Sequence, residues 1–254
     1  MNQVKPYEEV ALGKKEQVRR MFNSISGRYD FMNRLLTMRI DGLWRRNAVK
    51  LVKKYSTSAG ISSGKGGLFL DAGTGTGDFA VELARLKPRK IIGIDIADAM
   101  LALGSKKIKH KGLDSVIEFK EGDCENLQFP SDTFDLVASA FGVRNFEDLE
   151  KGLSEILRVL KPEGIIVILE CSEPGNMPFK RLYKAYMNRI CPAIGGIFSE
   201  NNAYSYLNRS VSMFPTGKEF QIILEKVGFL DTRFIPQNMG IASIYIAKKR
   251  AIGK

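Results

Sequence analysis

The chain has 254 residues, 44% of them hydrophobic, with 39 Lys or Arg against 28 Asp or Glu, one histidine and three cysteines. That length suits one large α/β domain. No apolar run approaches the roughly 20 residues that cross a bilayer, the charged start "MNQVKPYEEVALGKKEQ" has no signal-peptide core, and Cys124, Cys171 and Cys191 lack the spacing of a zinc site or a disulfide framework, which fits a reducing cytoplasm.

The net charge of +11 suits nucleic acid, anionic lipid or only a solvated basic surface. Much of it lies early, with eleven Lys or Arg against five acids in the first fifty residues. Residues 8–54 carry helical periodicity, and Val18, Met21, Phe22 and Ile25 share one apolar face. The stretch "YSTSAGISSGKGG" (55–67) is a linker by composition. Strand-like runs follow at 68–72, 90–95, 116–122, 134–140 and 164–171, with helical segments near 78–87, 97–108 and 147–160. The last helix ends in "LKPEG", a Pro-Gly stop. This alternation predicts a doubly wound parallel sheet covered on both faces.

Residues 174–215 break the rhythm with aromatics and methionine, as an inserted cap would. A helix near 217–227 and two β-like runs, 229–235 and 241–248, close the chain as an antiparallel edge. The expected organisation is a single domain: an N-terminal helical lid (1–54), a cofactor-binding core (68–171), the cap (174–215), and a C-terminal helix with an edge hairpin (216–254).

The stretch "LFLDAGTGTGDFA" is a strand, a glycine loop and a helix start, which opens a nucleotide site. Gly75-x-Gly77-x-x-Ala80 even satisfies a dinucleotide pattern, but charge separates the readings. A pyrophosphate on the helix N-terminus would be repelled by Asp71 and Asp78. A ligand carrying a sulfonium and an ammonium group is favoured by them, and S-adenosylmethionine is that ligand. Asp95 ends the second strand, placed to accept from ribose hydroxyls. Asp123 and Cys124 follow the third, placed for the adenine amino group and ring. Each Asp alone also reads as a helix cap; the set in order predicts a class I S-adenosylmethionine-dependent methyltransferase, a Rossmann-like α/β fold. Neither a "[DN]-P-P-[YF]" element nor a "P-C" nucleophile loop is present, which counts against nucleic-acid bases as acceptors.

Over nearly its whole length the chain resembles the ubiquinone/menaquinone biosynthesis C-methyltransferases. The resemblance rests on "YDFMNRLLTMRIDGLWRR" (29–46), "DAGTGTGD" (71–78), "GDCENLQFPSDTFD" (122–135), "FGVRNFED" (141–148), "RVLKPEG" (158–164), "LECSEP" (169–174) and "SYLNRSVSMFP" (205–215). It implies methyl transfer to a ring carbon of a polyprenylated quinol, with Thr76, Asp95, Asp123 and Cys124 as cofactor contacts; Asp71, Gly73 and Gly77 complete the expected cofactor set. The sequence departs from the family at Ala140, where many members have serine, and at Asp41-Gly42, where many have His-Arg. Demethylmenaquinol is preferred over a demethoxyubiquinol-type acceptor; another phenolic acceptor, or an RNA-binding protein, are the alternatives. Basic residues alternating with aliphatic helix positions, rather than with stacking aromatics, speak against RNA. Peripheral contact at the inner membrane face through the basic N-terminus is expected, and a homodimer is left open.

Methylating an aromatic carbon requires an electron-rich ring, which a hydroquinone becomes when one hydroxyl, of pKa about 10, loses its proton. "SAFGVRNF" (139–146) ends the fourth strand where the acceptor would lie. Arg144 and Asn145 can hold the oxyanion, but Arg cannot take the proton. Asp30, then Asp41, are the proton acceptors to consider, with Tyr29 positioning the ring oxygen. Arg144 reads alternatively as a surface ion pair with Glu147 or Asp148, and "YDFMN" as a packed helix. Met32, Leu35, Leu36, Trp44, Met177, Phe179, Tyr183, Tyr186, Met187, Ile190, Phe198, Tyr204 and Tyr206 are the pool for an apolar tail trough.

Overall fold

Stretches of five to twelve residues, most of them rich in apolar side chains, become strands here. In the computed structural model, which describes residues 4–7, 11–58, 66–172, 174, 178, 180–181, 185 and 201–251, these are β1 (Leu68–Ala72), β2 (Lys90–Asp95), β3 (Ile117–Glu121), β4 (Phe134–Ala140), β5 (Leu160–Cys171), β6 (Leu230–Gln237) and β7 (Ala242–Lys248). They form one sheet ordered β3-β2-β1-β4-β5-β7-β6. The first five pair in parallel, and β7 runs antiparallel to both β5 and β6. The strand order reverses between β1 and β4, so a crevice opens at their carboxyl ends.

The helices are α1 (Lys14–Leu36), α2 (Ile40–Ser58), α3 (Asp78–Leu83), α4 (Asp98–His110), α5 (Leu149–Val159), α6 (Asn201–Met213) and α7 (Lys218–Val227). Alternate residues of each strand feed two cores. On β5, Ile165, Val167 and Leu169 join the core under α2 and α3, while Ile166 and Ile168 join the one under α5 and α7. A third, smaller cluster joins Val18 and Met21 of α1 to Ala203 and Tyr206 of α6, which roofs the crevice.

Three local features differ from the sequence reading. Helix α2 continues through Ser58, into the stretch read as linker. It also packs on the sheet, in the segment expected to be a lid: Trp44, Ala48, Val49 and Val52 repeat on one face and bury in the core with strand residues. Trp44 is 3% exposed, so it is core and not tail trough. At "LKPEG" the helix stops at Val159, yet Leu160 already pairs with Phe134 before the next ladder pair, Leu136 with Ile165. The intervening residues bulge, with Glu163 left-handed at φ 63°. The expected cap is described at its C-terminal part, α6; most of 174–200, including Met177, Phe179, Tyr183, Tyr186, Met187, Ile190 and Phe198, lies outside the described residues, as do the side chains of Leu35, Leu36 and Tyr204.

One ring fixes the glycine loop against its neighbours. A Cβ on Gly77, Gly93 or Gly104 would lie 2.3, 2.5 or 2.8 Å from the ring of Phe119, so three elements leave a slot for one side chain of β3.

Candidate active site

The loop after β1 turns through left-handed glycines, Gly73, Gly75 and Gly77, at φ 70, 55 and 81°. At Gly73 the backbone also passes so close to Gly142 that a Cβ would meet its Cα at 3.3 Å. The loop is pinned by carboxylates. Asp71, fully buried, accepts from the Thr74 hydroxyl (2.6 Å) and the Ala80 N–H (3.1 Å). Its Oδ1 has no partner among the described residues, and burial pushes its pKa up to about 7. Asp95 accepts from Gly75 N–H at 2.8 Å and Ala97 N–H at 2.9 Å, one on each oxygen. Burial raises its pKa, and those N–H groups oppose the rise. Asp123 accepts from Glu125 N–H (2.9 Å) and pairs with Lys15 of α1 at 2.5 Å.

These acids open on one cavity of about 890 Å³, its mouth included, between the strand ends and α1. Asp71, Asp78, Asp95, Asp123 and Glu125 line it against two cations, Lys15 and Arg45. An excess of carboxylate with an orphaned buried oxygen suits a cationic ligand and would repel a pyrophosphate. The residues therefore fit S-adenosylmethionine. Gly73, Thr76 and Cys124 also line the cavity, whereas Gly77 sits behind the loop. Cys124 is 6% exposed and burial holds its thiol protonated, so its side chain offers no anion.

The opposite wall is residues 140–146. Phe141 makes the turn, at φ 60°, and Gly142 does not, at φ −100°. Glycine is needed at 142 for space: a Cβ there would sit 2.8 Å from Ser139 Oγ and 3.2 Å from Ala72 O. The Arg144 side chain is 6% exposed and pairs with Glu170, itself wholly buried, at 2.6 Å. Nη1 also donates to Phe141 O at 2.6 Å, while Nε has no partner among the described residues. Burial works against the charge of Arg144, but Glu170 together with Cys171, Tyr29 and Tyr206 outweighs it and the proton is held more tightly than usual. The alternative surface pairing does not form: Glu147 accepts from Lys14 N–H at 2.9 Å, and Asp148 caps α5 by accepting from Lys151 N–H at 3.0 Å. Asn145 faces the cavity; its Nδ2 donates to Phe141 O (3.2 Å) and its Oδ1 accepts from the Tyr206 hydroxyl (3.0 Å).

From α1, Tyr29 lines the cavity and stacks edge-on with Phe22, centroids 5.8 Å apart. Burial raises its pKa, and Arg144 and Arg45 both act to lower it, so its hydroxyl lies in the field of two guanidiniums. Asp30 stands outside the cavity wall. It accepts from Thr76 Oγ1 (2.6 Å) and pairs with Lys107 (2.6 Å), which also holds Asp78 at 2.7 Å. Asp41 is buried against Arg45 at 2.6 Å and accepts from the Thr37 hydroxyl at 2.8 Å.

Thus the structure gathers Asp71, Gly73, Thr76, Asp95, Asp123, Cys124, Tyr29 and Asn145 around one space, with Arg144 and Asp30 bonded just behind it. Arg45, Lys15, Glu125 and Glu170 are additions that the sequence reading lacks. A carboxylate inside the apolar strand "IIVILEC" is a legible signal for Glu170, because an acid is rarely buried without a partner.

The model of the ubiE/COQ5 methyltransferase family matches residues 10–249. A ubiquinone/menaquinone biosynthesis C-methyltransferase, UbiE, from Geobacter sulfurreducens is 47% identical over 238 residues, covering 93% of this chain and 90% of its own. A demethylmenaquinone methyltransferase from Bacteroides fragilis is 40% identical over 249 residues, 97% of each chain. Among solved structures, a SAM-dependent methyltransferase from Thermotoga maritima superposes with a TM-score of 0.61 at 18% identity, covering 91% of this chain and 99% of its own. The cyclase SpnF reaches 0.64 at 17% identity, covering 95% and 98%. At such identities these two speak for the fold alone.

Proposed function

Since the chain belongs to the ubiE/COQ5 methyltransferase family, we propose that it methylates a ring carbon of a polyprenylated quinol in respiratory quinone biosynthesis, using S-adenosylmethionine, with demethylmenaquinol as the preferred acceptor. The observation that carries this reading is the pairing in one cavity of an acidic half, Asp71, Asp95 and Asp123, with a half that carries Tyr29 and Asn145.

S-adenosylmethionine, when bound, supplies a methyl group on a cationic sulfur. Asp71 and Asp95 bind it through lone pairs that their backbone and hydroxyl partners leave available, and Asp123 takes the adenine amino group in place of Lys15. The small wall residue Ala140 admits the ligand close to the strand end. Asn145 donates to the acceptor oxygen. Arg144, anchored by Glu170 and Phe141 O, holds the same oxygen as its charge grows, through the N–H groups its anchor leaves over. A preset guanidinium in a site shut off from water stabilises a phenolate far more than a solvated one does. Tyr29 fixes the ring, and the proton leaves toward Asp30, through the Thr76 hydroxyl that bridges it to the cavity. Every residue invoked comes from one copy of the chain. Delivery of a tailed quinol calls for peripheral contact with a membrane through the basic N-terminal segment.

The test is an assay of the purified protein with labelled S-adenosylmethionine and reduced quinones that differ in ring type. Label in a naphthoquinol ring at a higher rate than in a benzoquinol ring is expected; no transfer to any reduced quinone would overturn the reading.

A further inference from the structure

The turn between α1 and α2 presents an apolar tip set in guanidiniums. Met38 is 69% exposed, Phe31 56% and Leu43 48%. Between residues 28 and 46 the exposed charged side chains are Arg28, Arg34, Arg39 and Arg46. The two acids of that span face inward, Asp30 onto Lys107 and Asp41 onto Arg45, each at 2.6 Å. Behind the tip lies a depression lined by Arg34, Arg39, Arg46, Lys107 and Lys111. Its carboxylates already hold cations: Asp41 takes Arg45 at 2.6 Å, Asp78 takes Lys107 at 2.7 Å and Glu82 takes Arg85 at 2.8 Å, with the more exposed Arg46 at 3.9 Å from Glu82. Met38 and Arg39 are both left-handed, at φ 49 and 63°, a conformation costly for residues with a Cβ. It keeps Met38 at the apex rather than folded back on the helices.

We propose that this turn is a docking surface for an anionic lipid bilayer: Met38 and Leu43 enter the acyl boundary while the surrounding arginines meet lipid phosphates. Apolar tips ringed by basic side chains are what interfacial binding requires. Polyanionic RNA would use the same arginines but gains little from an exposed thioether and an aliphatic tip in place of stacking rings. The turn also connects to the cavity, because Thr37 bonds Asp41 and Asp41 bonds Arg45, which lines it. A docked turn therefore sets the cavity beside the hydrocarbon where a tailed quinol resides. That last step rests on the catalytic reading above; the docking itself does not.

The experiment is flotation of the full chain with phosphatidylcholine vesicles, with and without phosphatidylglycerol, in the absence of any quinol. We expect flotation with the anionic vesicles alone, release at high salt, and loss of binding in Met38→Asp/Leu43→Asp. Arg39→Gln/Arg46→Gln should bind roughly 25-fold more weakly, at about fivefold per arginine. A matched variant on the distant helix α7, Lys218→Gln/Lys226→Gln, should bind as the wild type does, and unchanged melting curves would show each variant folded. Wild type that stays with the lipid-free fraction overturns the proposal. So does an equal loss from the α7 variant, which would make the effect one of bulk charge. Retention on single-stranded RNA in preference to the vesicles, unaffected by Met38→Asp, overturns it too. Methyl transfer to a short-tailed soluble quinol is a separate readout, so failure of docking and failure of the catalytic reading can be told apart.

Discussion

Arg144 donates across 2.6 Å to Glu170, whose side chain is wholly buried while that of Arg144 is nearly so. The guanidinium behind the acceptor wall is thereby charge-compensated and locked in one orientation by a strand 26 residues away. Removing one partner of a buried pair leaves an uncompensated charge, at a cost of about 3–5 kcal/mol. Glu170→Ala should therefore lower unfolding stability by about that much in urea titrations. Glu170→Gln keeps the shape and an acceptor, so it should fold, bind S-adenosylmethionine within a few-fold of wild type, and turn over more slowly. Arg144→Ala should abolish turnover with the same preserved cofactor affinity; loss of cofactor binding in calorimetry would move Arg144 to the cofactor site.

Asp71 gives a pH dependence with a defined sign. Its folded pKa, about 7, lies above the unfolded value near 3.8, so the folded state binds more protons between those limits. Its contribution to stability is present below about pH 4 and is lost as pH rises through 7. A cationic ligand reverses this preference by favouring the carboxylate. Affinity for S-adenosylmethionine should thus rise between pH 5.5 and 7.5, and calorimetry on Asp71→Asn should find weaker binding with a flatter profile.

Tyr206 sets the amide of Asn145, because its hydroxyl donates to Oδ1 at 3.0 Å and so fixes Nδ2 as the donor, which gives one hydrogen to Phe141 O at 3.2 Å and has a second to give. Tyr206→Phe should cost about 1 kcal/mol of stability. Without the lock Asn145 can flip, so turnover should fall roughly tenfold, equivalent to about 1.4 kcal/mol of transition-state stabilisation. Rates against quinol concentration, with melting as a control, measure both.

Lys14 donates to the carbonyls of Arg144 and Phe146, the former at 3.2 Å, and burial lowers its pKa to about 8. Between that value and its ordinary 10.5 the unfolded chain binds more protons, so the Lys14 contribution makes stability rise with pH across the window. Denaturant titrations at pH 8 and 10 should show a smaller rise in Lys14→Met than in wild type.

Period and punctuation made the strands legible: "FDLVASA" is a mostly buried run that ends where small side chains are needed, and β4 occupies Phe134–Ala140 as read. The acids at strand ends were legible for the same reason, since a parallel sheet brings its carboxyl ends together. What escaped depends on register and depth. Glu170 meets Arg144 only because β4 and β5 pair so that Ala140 lies beside Leu169. Arg45 sits on a helix whose burial makes its polar edge point into the cavity, and local pattern does not tell a lid helix from a core helix. The positive φ at Phe141 breaks a local rule, and it falls where the chain must bend around the cavity wall.

The slot that Gly77, Gly93 and Gly104 leave for Phe119 makes those three positions a single mutational unit. A methyl group at any one of them evicts the same ring, so a second such change meets space already vacated and its penalty is not a fresh one. The curvature of the cofactor loop is thus inherited in part from an aromatic residue that never faces the cavity. Sequence drift at the four positions should proceed together or not at all.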